Sequence, residues 1–258
     1  MNRSEVIGMD IQDKVAIVTG GARGIGRATA IALARAGARS VVIADNRTAE
    51  AAETAEEIRG EGCESISLEV DTGDVASLRS LMVATADRFG ALHILHNNAG
   101  IGEGDRDWPE VDTERVARIV DINLRGVITG TQLALPLMHR SGGGAIVNTA
   151  SGAAMTPLPP QAVYAATKAG VVHFTKSCTG LENSHQVRVS CICPGLTTTE
   201  MVQESGPDGP HPWLQSVIDA IEMLTPEEIA AGVLDLISDP ASAGRILSVE
   251  NKAKQNNR

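Results

Sequence analysis

Aromatic side chains are nearly missing from this chain: 258 residues carry two Phe, two Trp and a single Tyr, 2% in all. A core of any size must therefore be built from Val, Ile, Leu, Ala and Met. Cysteine is also scarce. Cys63, Cys178, Cys191 and Cys193 show neither zinc-ligand spacing nor a disulfide framework. Cys191 and Cys193, two apart in an apolar run, are expected to pack on one face of a strand. Uninterrupted apolar runs stay well short of the length that spans a bilayer. Met1 to Gln12 has acidic residues and no apolar centre, so it does not read as a signal peptide. Basic excess is lacking too: the net charge of −10 argues against nucleic acid or an anionic membrane as partner. These absences leave a cytoplasmic setting, with no membrane association and no metal, as the expectation.

What is present alternates in a regular way. Short, mostly apolar runs at Lys14–Thr19, Ser40–Ala44, Leu92–His96, Ala145–Ala150 and Val187–Cys193, and an alternating one at Ile66–Val70, predict six strands, with a seventh at Arg245–Val249. Helical patterns separate them. Asp74 should cap one helix that runs to Phe89, and Asp112 or Thr113 another that runs to Arg140. Thr225-Pro226-Glu227-Glu228 opens a third with a cap, a first-turn proline and acids facing the dipole. Near-continuous apolar strands between helices predict an α/β protein whose parallel sheet is covered on both faces. No linker or repeat divides it, so a single domain over residues 10–250 follows, with 1–9 and 251–258 as flexible termini.

In such a sheet, ligands bind beyond the carboxyl ends of the strands. Gly20-x3-Gly24-Ile25-Gly26 sits there, between the first strand and a helix. Glycines let a backbone approach closely, and the free N–H groups of a helix start suit a pyrophosphate. Asp45 ends the second strand, where a carboxylate can accept from both ribose hydroxyls of an adenosine and repel a 2′-phosphate. That favours NAD over NADP; Arg23 and Arg47 are the residues that could reverse the preference. Asp71, ending the third strand, suits either an adenine amino group or simple capping. Farther on, Tyr164 and Lys168 stand four apart in a helical pattern and so share a face. An ammonium favours the phenolate of a neighbouring tyrosine, which brings a phenol within reach of general acid–base work. The same spacing elsewhere is a packed ring beside a solvated cation, but here it involves the sole tyrosine. His93 and His96, three apart in a strand, point to opposite faces and make no metal pair. Trp108 and Trp213 lie in or beside loops flanking the presumed cleft, where substrate contact and simple packing are both open.

Taken as an ordered set, Thr19-Gly20-x3-Gly24-Ile25-Gly26, Asn97-Asn98-Ala99-Gly100, Asn123, Ser151, Tyr164-x3-Lys168 and Pro194-Gly195 resemble the classical short-chain dehydrogenase/reductase family over about residues 10 to 240. The resemblance implies a doubly wound, Rossmann-type sheet of about seven strands. It implies an oxidoreductase moving a hydride between a nicotinamide cofactor and a secondary alcohol or ketone. Tyr164 would be the general acid/base, Lys168 would lower its pKa and hold the nicotinamide ribose, and Ser151 would bind the substrate oxygen. Asn123 would bend its helix and hold a water in a proton relay. Asn98, Ala99 and Gly100 would line the cofactor cleft, with Pro194, Gly195, Thr197 and Thr199 at the nicotinamide end. A homodimer or homotetramer would be the usual assembly.

Two stretches depart from the family pattern. Val202–Pro212 is rich in Pro and Gly where a helical lid is common, and the last strand ends in Ser248-Val249-Glu250-Asn251 rather than a glycine turn. Two rival readings deserve weighing. A catalytically silent dinucleotide-binding sensor or scaffold would not need all four catalytic positions filled. A methyltransferase with a glycine-rich first turn would leave Ser151, Tyr164 and Lys168 without a purpose.

Overall fold

A computed structural model describes residues 8–206 and 208–254. Strands β1 (Val15–Thr19), β2 (Ser40–Asp45), β3 (Glu64–Glu69), β4 (Ile94–Asn97), β5 (Gly144–Thr149) and β6 (Val187–Pro194) alternate with helices. Between them run α1 (Gly24–Arg35), α2 (Thr48–Gly60), α3 (Val75–Phe89), α4 (Thr113–Val120), α5 (Gly126–Arg140), α6 (Ala162–Ser177) and α7 (Leu181–His185). Beyond β6 come α8 (Glu200–Gln203), α9 (Pro212–Ala220), β7 (Ile221–Glu222), α10 (Pro226–Ser238), β8 (Ile246–Val249) and β9 (Lys252–Ala253).

One seven-stranded sheet has the order β3-β2-β1-β4-β5-β6-β8, and every pairing in it is parallel. The chain winds outward from β1 to β3 and then returns to place β4 beside β1. That reversal opens a crevice at the carboxyl ends of β1 and β4.

Strand alternation sorts the core into two layers. Ala16, Val18, Val41, Ile43, Val147 and Ile192 face α1, α2 and α10, packing on Leu33, Ile58 and Val233. Ile17, Val42, Leu95, Ile146 and Val189 face the other way, onto Leu81 of α3 and Met138 of α5. Cys191 and Cys193 do share a face, buried with Val171 and Val172 of α6, and all four cysteines are free. The Asp74 carboxylate accepts from Ala76 N and Ser77 N, and Thr225 with Glu228 closes a full capping box.

The long helix predicted to Arg140 is interrupted by one π turn, Asp121–Arg125, between α4 and α5. Asp112 stands at its start without a side-chain cap bond. The polar stretch after Cys178 forms the short α7, stopped at Gln186 by a left-handed φ of 58°. The Pro- and Gly-rich stretch Val202–Pro212 lies between α8 and α9 and overlaps only their ends; Pro212 stands at the first turn of α9, where its missing N–H costs nothing. The tail expected to fray from residue 251 does not do so over 251–254. There β9 pairs antiparallel with β7, and Lys254 N donates to Ala220 O at 3.0 Å. Of the predicted flexible start 1–9, Met9 packs against the core, while 1–7 and 255–258 lie outside the described residues. Among the described residues no helix is long and apolar enough to cross a membrane, and no metal-holding cluster of acidic, His and Cys side chains forms.

Candidate active site

Glycine geometry shapes the crevice after β1. Gly20 and Gly24 have φ of +63° and +52°, left-handed values that favour glycine. At Gly26 the constraint is contact: a Cβ there would lie 2.0 Å from the Gly20 carbonyl oxygen. Ile25 rides between these two and packs on the core. Arg23 stands at the N-cap of α1 and makes no side-chain cap bond, so the first-turn N–H groups remain open to an anion. This cradle fits the pyrophosphate of a dinucleotide. Asp45 closes one side of it, Oδ2 accepting from Ala22 N at 3.0 Å and Oδ1 from Arg47 N at 2.9 Å. The two arginines that could favour a 2′-phosphate both have carboxylate partners: Arg23 pairs with Glu204 at 3.0 Å and Arg47 with Glu50 at 3.3 Å. Asp71 serves its own turn, accepting from Gly73 N at 2.9 Å and from Arg118 at 3.0 Å. The Arg118 hydrogen bond holds its carboxyl below the usual range.

Beneath the cradle a buried polar network joins three strands. Thr19 Oγ1 accepts from Asn98 N at 3.0 Å and Ala99 N at 3.2 Å, and donates to His96 O at 3.3 Å. The Asn98 amide returns two bonds of 3.1 Å to the Thr19 and Gly20 carbonyls. Thr149 Oγ1 donates to Asn98 Oδ1 at 3.5 Å, so His96 Nε2, 2.8 Å from Thr149 Oγ1, is the donor in that pair. His96 is fully buried and its Nδ1 has no partner. Burial, with Lys168 nearby, pushes it down to about 3. His93, by contrast, uses Nδ1 to accept from Val15 N at 3.1 Å.

Lys168 is fastened to this network, its Nζ donating to Thr149 O at 2.8 Å. The ammonium is 5.5 Å from the Tyr164 ring centroid, and burial pushes it down to about 8. Gly100 brings the cofactor loop against it, since a Cβ there would be 3.3 Å from Lys168 Nζ and 3.4 Å from Asn123 Oδ1. Asn123 lies in the π turn between α4 and α5. Its amide is committed to the loop after β4, accepting from Ile101 N and donating to Ile101 O at 2.8 Å each. Ser151 follows β5 by two residues and caps a short 3₁₀ turn, accepting from Ala153 N at 3.2 Å. Its hydroxyl also favours ionisation of the Tyr164 phenol.

The phenol is raised above its ordinary value by burial first, with Ser151 pulling it down and Glu103 and Cys193 adding to the rise. Desolvation therefore sets the direction, opposite to the lowering expected from Lys168.

Loops after β4 and β6 form the far wall. Thr199 packs on the glycine turn, its Cγ2 3.2 Å from where a Gly24 Cβ would stand. Thr197 Oγ1 donates to Gly195 O at 3.1 Å, and Asn251 brackets Leu196 with two bonds of 2.7 Å. His211 Nε2 donates to Gly104 O at 2.9 Å, and Trp213 Nε1 to Asp107 Oδ1 at 3.3 Å. Trp213 therefore packs and bonds within the wall, whereas the Trp108 side chain is exposed. Glu103, Thr149, His96 and Asn251 were not singled out from the sequence as site residues, and none lies in a motif that would have marked it.

A model of the short chain dehydrogenase family matches residues 14–209. The chain belongs to the short-chain dehydrogenase family. It is a nicotinamide-dependent oxidoreductase acting on alcohol and ketone groups. Among its relatives is a 3-oxoacyl-[acyl-carrier-protein] reductase of Synechocystis sp., 37% identical over 231 residues, 89% of this chain and 91% of the relative. Another is the human 15-hydroxyprostaglandin dehydrogenase [NAD(+)], 34% identical over 254 residues, 93% and 92% of the two chains. The crystal structure of levodione reductase superposes with a TM-score of 0.85 at 31% identity, covering 93% of this chain and 96% of that one.

Proposed function

We propose that this short-chain dehydrogenase oxidises a secondary alcohol, or reduces the matching ketone, with Tyr164 as general acid/base and NAD(H) as the preferred cofactor. The observation that carries the reading is the junction at Gly100. There the loop leading from the glycine cradle lies against both Lys168 and Asn123, one helical turn from Tyr164.

The nicotinamide, when bound, supplies the hydride chemistry. Tyr164 takes the proton from the substrate hydroxyl as the alcohol is oxidised, and returns one to the ketone oxygen in reduction. Ser151 donates to that same oxygen and steadies charge developing on it. Lys168, anchored to Thr149 O, keeps a positive charge beside the phenol and the ribose. Asn123 sets the distance between the cofactor loop and α6, and a water held behind Lys168 would complete a proton relay. Pro194, Gly195, Thr197 and Thr199 border the nicotinamide end.

Cofactor preference rests on Asp45 and on the carboxylate partners of Arg23 and Arg47. NAD(H) should bind at least about tenfold more tightly than NADP(H), roughly 1.4 kcal/mol. Equal affinities in a fluorescence titration would mean that one arginine leaves its partner for the 2′-phosphate. Exposed Trp108, Met155 and Met201 come from the loops after β4, β5 and β6. That rim suits a substrate with an apolar body, so a panel of cyclic and aryl secondary alcohols with NAD is the direct assay. Oxidation needs the phenolate, so its rate should rise with pH toward the phenol pKa. Reduction needs the phenol and should fall through the same range.

Tyr164→Phe should lose at least about a thousandfold in turnover while binding NAD as before. A Phe variant that still turns over at a near-normal rate removes Tyr164 from the mechanism. Binding of NAD with no turnover of any alcohol or ketone would instead favour a silent sensor. A homodimer or homotetramer is the assembly we propose, to be read from light scattering.

A further inference from the structure

Glu103 lies three residues beyond Gly100 and is 3% exposed. Its Oε1 accepts from Val163 N and from Tyr164 N, each at 3.0 Å. These are the second and third residues of α6, and Gln161, at the N-cap position, offers no side-chain bond. The catalytic helix is thus capped from 60 and 61 residues away. The second oxygen, Oε2, is buried without a partner.

Capping by itself does not explain this arrangement. A Ser, Thr or Asn at the N-cap would satisfy the same N–H groups without burying a carboxylate. An acid with one orphaned oxygen in a low-dielectric site destabilises the fold. Its neighbours are also held tightly: Ile101 by Asn123, Gly102 O by Arg115 at 2.9 and 2.6 Å, and Gly104 O by His211 at 2.9 Å. The carboxylate is therefore presented to the first turn of α6 by a rigid bracket.

Resting on the reading of Tyr164 as acid/base, we infer that Glu103 is a positioning residue for Tyr164, tying the catalytic helix to the loop that carries Asn98, Ala99 and Gly100. Through those two backbone bonds the phenol and the cofactor wall move as one body. Its negative charge also acts on the phenol. The groups facing Tyr164 are Glu103 from the β4 loop, Ser151 after β5, Cys193 on β6 and Lys168 on α6. Arg115 on α4 faces Glu103. Of these, Glu103 and Cys193 oppose ionisation of the phenol through their charge, Glu103 the more strongly, whereas Ser151 favours it.

The lone tyrosine makes the test independent of the substrate. Its ultraviolet ionisation is read within seconds of a pH jump, before alkaline unfolding, in the full-length protein and in Glu103→Gln and Glu103→Ala. Glu103→Gln keeps a carbonyl acceptor for both N–H groups and removes the charge, so the Tyr164 transition should fall by at least about half a pH unit. Glu103→Ala should show the same direction and lose first-turn helicity. With the best alcohol of the panel, kcat should drop about tenfold or more in Glu103→Ala, with the NAD dissociation constant within about twofold of the parent. If the alanine variant does not fold, Glu103→Leu, which fills the space without an acceptor, replaces it. A Glu103→Gln titration superimposable on the parent overturns the charge effect, and a parental kcat in the variant without an acceptor overturns the positioning role; either leaves the Tyr164 reading intact. An active Tyr164→Phe would sink that reading whatever Glu103 does.

Discussion

The glycine turn after β1 and the loop after β6 occupy equivalent places at the carboxyl edge of the sheet and are held by opposite means. The turn is shaped by its own backbone and by buried groups: two left-handed glycines, a third with no room for a Cβ, and a buried network from Thr19 through Asn98 to Thr149 beneath it. The loop is held mainly by side chains reaching across the cleft. Arg23 meets Glu204, His211 meets Gly104, Trp213 meets Asp107 and Asn251 brackets Leu196. The Arg23–Glu204 pair is partly exposed, with side-chain accessibilities of 29% and 60%. Burial makes the first arrangement all-or-none, because an intruding group meets backbone that cannot yield. Side-chain latches can each open at a small cost, which suits a wall that must admit and release ligands.

The sharpest way to break that contrast is Gly26→Ala. Its methyl would meet the Gly20 carbonyl at 2.0 Å, so the turn must reshape or the variant fail to fold. We expect NADH affinity to fall at least about a hundredfold, roughly 3 kcal/mol. Near-parental binding by calorimetry would mean the turn is as adaptable as the loop.

A second test reaches the support beneath the turn. His96 has a pKa near 3 when folded and an ordinary value of 6.5 when unfolded. Between those values the unfolded chain takes up a proton that the folded one refuses, so stability must fall as the pH drops below 6.5. At pH 5 the loss from this residue is about 2 kcal/mol. Glu103, whose carboxyl is raised, pulls the opposite way. The readout is therefore the difference between the parent and His96→Asn in urea unfolding at pH 7 and pH 5. Identical pH slopes would show that His96 can be protonated in place and that the network is looser than its hydrogen bonds suggest.

The smallest effect belongs to the latch. Glu204→Gln removes an exposed pair, worth about 0–1 kcal/mol. Proteolysis within 196–212 should quicken by no more than about fivefold, and the increase should vanish at high salt, where the parent pair is screened as well. Saturating NAD should slow cutting in both forms. If the variant unfolds or ceases to bind cofactor, the loop is part of the rigid side after all.

Legibility followed the range of the interactions. Gly20, Gly24 and Gly26 were readable because a strand–turn–helix with a close phosphate approach imposes its demands within seven residues. Tyr164 and Lys168 were readable because helical spacing puts them on one face. The strands were readable from unbroken apolar runs, with boundaries shifting by a residue or two, as at β4. The start of α9 at Pro212 was not marked beforehand, because a proline suits both a loop and a first helical turn and composition does not choose between them. The π turn at Asn123 had no local signature. Glu103, Thr149 and Asn251 were passed over because each acts on a partner far away in sequence.

By itself the amino-acid sequence determined an α/β chain of alternating elements, a nucleotide-sized glycine turn and a tyrosine–lysine pair on one helix. Each of those depends on dihedral preferences and side-chain periodicity, which act over a few residues. Only the tertiary structure decided that burial raises the phenol, that Arg23 and Arg47 are paired with acids, and that Glu103 caps α6. Those outcomes depend on desolvation and on hydrogen bonds between segments that meet only when the sheet has closed, and no local pattern encodes which side chains will then be neighbours.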